Sequence, residues 1–454
     1  MREALKVGVS GVRGVVGGSF SPKLAAEFAQ AFGTFVGHGP VVVGRDTRTT
    51  GIMVENAVIA GLQSVGCQPI LAGVVPTPTV LILTKKYKAR GGIAITASHN
   101  PAQWNALKFI GDNALFLNEL RAEELINIYN EQEFPLVEES EITEVATIDD
   151  PMKPHYEAIA NYIDLEKIKK QKYKVAVDCC NGVGAIHTVS FLRDYLGCEV
   201  ISVLDTPTGA FEREPEPTPE SLTVLCETVK QNQCDIGFAQ DPDGDRLAIV
   251  DEHGRPLGED FTLTLGIQQV LNSHESGPVA VNLSSGKTVD YVTEQAGEQV
   301  TRTKIGEINV SETMLEIGAV AGGESNGGLI IPAVHPCRDS YVSMAIILEM
   351  LADTGKSASA LKAAIPEYHI VKKKVKVSSD ASLKILRTVR QYYQHGKLNL
   401  LDGVHVDFGD SWIHVRRSNT EPVIRIMAEA PTQEKAEQLA QELMTLVNSN
   451  EFEK

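Results

Sequence analysis

Val41-Val42-Val43-Gly44-Arg45 is a short apolar run that ends in a glycine and a cation. Two later stretches repeat its form: Val175-Ala176-Val177-Asp178 and Val279-Ala280-Val281-Asn282. Continuous apolar runs of this length suit strands buried on both faces, as in sheets flanked by helices. The first and third share a leading Gly-Pro, at Gly39-Pro40 and Gly277-Pro278. Each run is followed by a helical-looking segment, a glycine and a second apolar strand. Gly66-Cys67 precedes Ile70-Leu71, Gly197-Cys198 precedes Val200-Ile201, and Gly297 precedes Val300. A glycine suits the helix C-terminus because it tolerates the left-handed conformation there. The pattern predicts three related α/β units, each strand–helix–strand, with largely parallel sheets.

The C-terminal part reads differently. Segment 370–377 is strand-like and basic, and 381–394 helical. Strands are expected near 404–408, 412–415 and 423–428. Thr432 then caps a helix running to about 447, with Glu434 in its first turn. Strands mixed with two helices predict a smaller α+β domain. Segment 132–153, acidic and carrying proline, reads as a linker. Further boundaries fall near 250–258 and 365. The expected domains are 1–148, 149–252, 253–366 and 367–454.

A chain of 454 residues with 43% hydrophobic and 22% charged residues is ordinary globular material. It holds no apolar run long enough for a membrane span, and its start has no secretory signal pattern. Seven cysteines without regular spacing argue against a disulfide framework and for a reducing, cytoplasmic setting. A net charge of −17 argues against general nucleic-acid binding. It leaves room for an anionic small molecule, because a few arginines gathered in one place reverse the local potential.

Four loops carry the chemistry. Gly91-Gly92-Ile93-Ala94-Ile95 is a strand that runs into Thr96-Ala97-Ser98-His99-Asn100-Pro101. Pro101 keeps Asn100 out of a helix, so Ser98 sits in a turn just past a strand end, where it is expected to be exposed. His99 could assist proton transfer or orient a phosphate. A Ser-His pair in a turn is also ordinary polar turn chemistry, and no Gly-x-Ser-x-Gly elbow is present here.

Asp241-Pro242-Asp243-Gly244-Asp245-Arg246 follows a strand-like 236–239. Three carboxylates at alternate positions of an extended loop project to one side and repel one another unless a cation lies between them. Oxygen ligands of this kind select Mg²⁺ or Ca²⁺. An EF-hand reading would place Glu252 at the twelfth loop position. It fails at the sixth, where Arg246 replaces the glycine, and its flanks look like strands. A solvated acidic turn is the plainer alternative.

Gly322-Gly323-Glu324-Ser325-Asn326-Gly327-Gly328 offers a carboxylate and an amide among glycines, a way to hold sugar hydroxyls, or else an idle turn. Arg416-Arg417-Ser418-Asn419-Thr420-Glu421-Pro422 gathers cations and hydroxyls in a turn, with Arg425 on the next strand. That suits phosphate, although a solvated basic turn has the same composition.

Together these loops, in this order and spacing, resemble the α-D-phosphohexomutase superfamily. Ser10-Gly11-Val12-Arg13-Gly14 is similar to its N-terminal active-site loop, and Gly44-Arg45-Asp46-Thr47-Arg48 to its next strand-end motif. The resemblance implies an α/β fold of four domains: three related α/β units with mixed, largely parallel sheets, and a C-terminal α+β domain of the TATA-box-binding-protein-like type, set around a central cleft. It implies that Ser98 carries a phosphate and that one Mg²⁺ per chain binds Asp241, Asp243, Asp245 and the Ser98 phosphate. Lys108 and His99 fall at catalytic positions, and Arg13 and Arg246 would position phosphoserine and substrate. Thr303, Gly306, Glu324 and Asn326 would contact the sugar. Arg416, Ser418, Asn419, Thr420 and Arg425 would hold the phosphate that is not reacting.

The implied reaction interconverts hexose 6- and 1-phosphates through a 1,6-bisphosphate, which also primes the enzyme. The implied partners are a sugar phosphate and nothing larger, with the chain a monomer or homodimer, and no nucleic acid or membrane. Ala106, Asn326, Gly328 and Glu307 depart from residues frequent in the family. The loops 103–108 and 323–328 look most like phosphoglucosamine mutases, with glucose and mannose phosphates as the alternative substrates. A magnesium-dependent phosphatase or a non-catalytic sugar-phosphate sensor would account for fewer of these loops, since neither needs a phosphorylatable serine beside a metal loop.

Overall fold

The computed structural model describes residues 4–418 and 423–448. The chain divides into two compact units. One is drawn from Met1–Thr262 and Asn326–Ala360, the other from Leu263–Ser325 and Leu361–Lys454.

The first unit holds two sheets. The larger has seven strands in the order Lys6–Gly8, Gly11–Val15, Trp104–Ile110, Gly91–Ile95, Gly39–Arg45, Cys67–Val74 and Ala146–Thr147. The last four run parallel and the first three join antiparallel, so the sheet is mixed. Val41, Val42 and Val43 are all fully buried, the two-sided burial their unbroken run predicts. Helix Pro22–Val36 packs Phe28 and Phe32 against Phe109 of the sheet. Ser21 opens it by accepting from the Leu24 N–H, and Gly37 closes it at φ 70°. The linker reading of 132–153 is corrected in one respect. Ala146–Thr147 pairs with Ile70 and Leu71, so the acidic stretch supplies the last strand of the sheet.

The second sheet has four strands in the order Leu247–Val250, Ile236–Gln240, Lys174–Asp178 and Glu199–Val203. Ile236–Gln240 and Leu247–Val250 form an antiparallel hairpin, and the acidic loop is its turn. Gly244 takes φ 69° there. Strand flanks exclude the EF-hand reading, and Glu252 accepts from Ser359 N–H at 3.2 Å, away from the aspartates.

In the other unit Val300–Thr303, Val279–Asn282 and Ala321–Glu324 lie parallel, so Thr303, Asn282 and Glu324 end on one edge. All three predicted strand–helix–strand repeats therefore carry parallel pairs. The C-terminal sheet is antiparallel, in the order His369–Lys376, Val423–Ala430, Trp412–Arg417, Val404–Asp407, Lys397–Asn399. Helices Ser379–Tyr392 and Gln433–Asn448 cover one face, closing a core of Ile385, Val389, Ala436 and Leu443 on Ile413, Val415, Ile424 and Ile426. Lys397–Asn399 escaped the sequence reading because three residues of mixed polarity give no periodic signal.

All seven cysteines are thiols. No helix among the described residues is long and apolar enough to cross a membrane.

One pH effect follows from burial. His335 is enclosed, with its Nε2 2.9 Å from the Ala114 carbonyl, and burial pulls its pKa down to about 4. The unfolded imidazole titrates near 6.5, so between these values the unfolded chain binds the extra proton and folding stability falls as pH drops. Denaturation midpoints measured from pH 7 to pH 4 are expected to decline across this window, and less steeply in H335Q. Parallel declines in the two proteins would rule out His335 as a contributor.

Candidate active site

Parallel strands deliver their C-terminal ends to one edge, and this places the serine. Asp46 and Arg48 leave the end of Gly39–Arg45, while Thr96 to Ser98 leave the end of the neighbouring Gly91–Ile95. Asp46 N–H donates to the Ile95 carbonyl at 3.1 Å. The Asp46 carboxylate accepts from Thr96 Oγ1 at 2.7 Å and Arg48 Nε at 3.0 Å. Arg48 then ties down the serine loop by its backbone. Its guanidinium donates to the carbonyls of Ser98 (2.6 Å), Asn100 (2.7 Å), Pro101 (2.7 Å) and Trp104 (3.1 Å). Phe211 stacks on it at 4.9 Å. Arg48 lies inside the family-like stretch noted in the sequence, but its role could not be read there, because the carbonyls it serves lie 50 to 56 positions away.

Ser98 takes φ 48°, a left-handed turn conformation uncommon outside glycine, asparagine and aspartate. The expectation of an exposed serine is corrected: Ser98 is 6% exposed. Its turn is folded under the acidic loop, and Ser98 Oγ donates to Asp241 Oδ2 at 2.9 Å. His99 Nδ1 lies 3.4 Å from Ser98 Oγ.

Asp241, Asp243 and Asp245 are all buried, with one carboxylate oxygen of each within 4.8 Å of the others. Lys108 Nζ lies 2.7 Å from Asp243 Oδ2 and 3.8 Å from Asp245 Oδ2. Thr77 Oγ1 also donates to Asp243 Oδ2, at 2.7 Å, and Arg338 Nη2 donates to Asp245 Oδ2, at 2.7 Å. Thr77 and Arg338 carried no motif, and only the fold brings them here. Burial, reinforced by its two acidic neighbours, raises the Asp241 pKa well above the ordinary carboxylate range. Burial pushes Asp243 up as well, but the charge and hydrogen bond of Lys108 outweigh it and leave Asp243 below that range. For Lys108 burial works against the charge, and Asp243 and Asp245 more than restore it, so its pKa rises.

The donor set fits a divalent cation. Asp243 Oδ1 and Asp245 Oδ1 are buried and make no hydrogen bond, although Arg246 Nε lies 3.7 Å from the latter, so the cluster keeps hard oxygen atoms whose hydrogen-bonding capacity is unmet.

Two arginines act on the serine loop, Arg13 through Asn100 and Arg246 through its charge on His99. Arg246 Nη1 pairs with Glu216 at 2.5 Å, and Arg13 Nη1 lies 3.5 Å from Asn100 Oδ1. The charge of Arg246, followed by burial, pulls the His99 pKa down to about 2. Burial and then Arg246 also lower Arg13. Asn326, in this unit, has a buried Oδ1 without a hydrogen bond.

In the other unit Glu324 Oε1 accepts from Asn282 Nδ2 at 2.9 Å and from Gly306 N–H at 3.0 Å. Gly306 takes φ 119°, where a side chain would be strained. Thr303 Oγ1 donates to the Lys304 carbonyl at 2.8 Å, and Glu307 begins the next helix. Asp402 links this segment to the basic strand: its Oδ2 accepts from Ile305 N–H at 3.2 Å and lies 3.7 Å from Arg416 Nη1. Arg416 and Arg425 are direct cross-strand partners. The Nε of each is buried without a hydrogen bond. Burial lowers the Arg416 pKa against the opposing charge of Asp402, and Arg425 adds to the lowering. Ser418 N–H donates to the Val423 carbonyl at 3.0 Å, closing the root of the loop. Asn419 and Thr420 lie outside the described residues.

The family described as phosphoglucomutase/phosphomannomutase matches the chain in four consecutive stretches. These are α/β/α domain I over 4–136, domain II over 153–254, domain III over 259–368 and the C-terminal domain over 372–446. The chain belongs to this family. The mutase is 38% identical to a phosphoglucomutase/phosphomannomutase of Thermococcus kodakarensis, over 94% of its own length and 95% of the relative's. It is 37% identical to a Methanopyrus kandleri protein named "Probable phosphoglucosamine mutase", over 97% of each chain. Among solved structures, a phosphoglucomutase/phosphomannomutase family protein of Burkholderia thailandensis shares the fold at TM-score 0.85 and 24% identity. That match covers 98% of this chain and 99% of the other. The mutase is thus a phosphohexomutase, an isomerase of α/β architecture with a triple-aspartate cluster able to hold a cation.

Proposed function

We propose that the mutase interconverts glucosamine 6-phosphate and glucosamine 1-phosphate through a phosphorylated Ser98. The observation that carries this reading is the Ser98 hydroxyl held 2.9 Å from Asp241, inside the three-aspartate cluster. A serine there is fixed in place, desolvated and next to a site for positive charge. Those are the needs of in-line phosphoryl transfer, in which placement and charge do most of the work. Asp241, Asp243, Asp245 and the phosphoserine would hold one Mg²⁺, which when bound supplies positive charge to the oxygens of the transferring group.

The steps balance simply. The bond from phosphorus to Ser98 Oγ breaks as the free sugar hydroxyl bonds phosphorus; the hydroxyl loses its proton and the departing Ser98 Oγ takes one up, yielding the hexose 1,6-bisphosphate and a free Ser98 hydroxyl. The other phosphate then returns a phosphoryl group to Ser98, and the sugar oxygen it leaves regains a proton. Lys108, held charged by its hydrogen bond to Asp243, is suited to give a proton to that strongly basic sugar oxygen. His99, held near pKa 2, is too weak a base for this and suits orienting the phosphate. Arg13 and Arg246 would position phosphoserine and substrate. Thr303, Gly306, Glu324 and Asn326 would contact the sugar. Arg416, Ser418, Asn419, Thr420 and Arg425 would hold the non-reacting phosphate. Hexose 1,6-bisphosphate would prime an unphosphorylated chain. The same reading takes the domains as 1–148, 149–252, 253–366 and 367–454, and the enzyme as a cytoplasmic monomer or homodimer.

Glucose and mannose phosphates are the second reading, favoured by the name of the Thermococcus kodakarensis relative, whose 38% identity does not separate it from the 37% of the glucosamine-named protein. The test is kcat/KM for all three sugar phosphates under identical Mg²⁺ and bisphosphate priming. Glucosamine phosphate is expected to lead. A tenfold advantage for either other sugar, about 1.4 kcal/mol in transition-state binding, would overturn the substrate assignment and leave the reaction class standing.

A further inference from the structure

The C-terminal sheet places a third cation in the row that holds Arg416 and Arg425. Strand His369–Lys376 pairs with Val423–Ala430 so that Lys374 lies directly opposite Arg425, which lies directly opposite Arg416. Directly opposite residues of antiparallel strands share a face. The helices cover the other face, where Ile413, Val415, Ile424 and Ile426 are buried. Lys376, two residues on, shares the face of Arg425 and Arg416 at its edge and stands opposite Val423, whose carbonyl closes the root of the 418–423 loop. Both lysines are exposed.

Like charges set directly opposite destabilise a sheet. The acidic groups near this row do not cancel it. Glu429 keeps its charge but stands four residues along the strand from Arg425, where it accepts from Trp412 Nε1 at 2.5 Å and Lys287 N–H at 2.8 Å, and Glu324 acts on Arg416 more weakly than Arg425 does. Asp407 pairs with Lys287 and Lys397. Asp402 approaches Arg416 only to 3.7 Å. The row thus keeps excess positive charge in a chain of net charge −17, beside two guanidinium Nε atoms that are buried without hydrogen bonds.

We infer that Lys374 and Lys376 extend the Arg416/Arg425 anion site outward as a capture strip for the phosphate dianion of the sugar phosphate. This rests on the reading of 416–425 as the holder of the non-reacting phosphate. The two arginines make the short contacts. The lysines, solvated and on long stems, raise the local concentration of dianion and offset its repulsion by an acidic protein. Their contribution is screened, because exposed charges act over a Debye length of about 10 Å at 0.1 M salt.

The experiment uses the full-length enzyme and its sugar phosphate at several ionic strengths, comparing wild type, K374Q/K376Q and R416A. At low salt the double variant is expected to raise KM about three- to tenfold and to flatten the rise of KM with salt seen in wild type. R416A is expected to raise KM about ten- to a hundredfold at every salt concentration, as loss of a charge-assisted hydrogen bond should. Normal KM and salt slope in K374Q/K376Q, with R416A impaired, would overturn the inference and leave the phosphate site standing. The same normal kinetics together with self-association of the double variant would assign the lysines to protecting an edge strand, and would overturn it equally. Normal KM in R416A would remove the phosphate site itself.

Discussion

Ser98→Ala is expected to lower mutase turnover by at least about a thousandfold while the protein stays folded. The hydroxyl is the atom that carries the phosphoryl group, so no neighbouring side chain can stand in for it. His99, the nearest other candidate, is held neutral and weakly basic by Arg246 and burial. The fold should tolerate the change, because the loop is pinned through its backbone. Arg48 donates to the Ser98 carbonyl, and the Ser98 N–H donates to Thr96 Oγ1 at 2.9 Å; neither needs the hydroxyl. The bond to Asp241 Oδ2 and the longer contact with His99 Nδ1 are lost. Steady-state assays paired with thermal unfolding check both halves. Turnover near wild type in a purified, folded variant would sink the covalent route.

The second large effect is expected for Asp243→Asn. Mg²⁺ affinity should fall by about a hundredfold or more, with turnover falling alongside at ordinary Mg²⁺. Asp243 has one oxygen, Oδ2, taken by Lys108 and Thr77, and another, Oδ1, buried without a hydrogen bond. An amide can still accept from Thr77, and the bond from Thr77 N–H to the Asp243 carbonyl is untouched, so the loop should keep its shape. What goes is the negative charge that draws a hard cation. Metal titration followed by calorimetry, with activity measured across Mg²⁺ concentrations, tests this. Partial rescue at high Mg²⁺ is the expected sign of weakened binding. Unaltered titration and unaltered turnover would return the cluster to a solvated acidic turn.

Much of this was legible in the chain itself, for identifiable reasons. The runs at 41–45, 175–178 and 279–282 read as strands because burial on both faces demands unbroken apolar residues, and all three are strands in parallel pairs. The carboxylates of 241–245 read as a cluster from their alternate spacing, and they do converge, although a tight hairpin turn rather than an extended loop gathers them. What stayed hidden depends on long-range placement. Arg48 reaches carbonyls some fifty residues on, Thr77 meets Asp243 across 166 positions and Arg338 meets Asp245 across 93. No local pattern encodes such distances. Ser98 was expected to be exposed because turns usually are, yet the acidic loop, 143 positions away, covers it. The strand at Ala146–Thr147 was hidden for a different reason: pairing at a sheet edge asks little of two residues in an acidic stretch.

The most direct test of the covalent account follows the phosphoryl group. The enzyme is incubated with hexose 1,6-bisphosphate labelled in its phosphates, freed of small molecules, and analysed by intact mass and peptide mapping before and after a chase with unlabelled sugar monophosphate. The account predicts one labelled phosphoryl group per chain, on Ser98, that the chase transfers to the sugar. A chain that turns over substrate while Ser98 stays unlabelled, or that keeps its label through the chase, would contradict it.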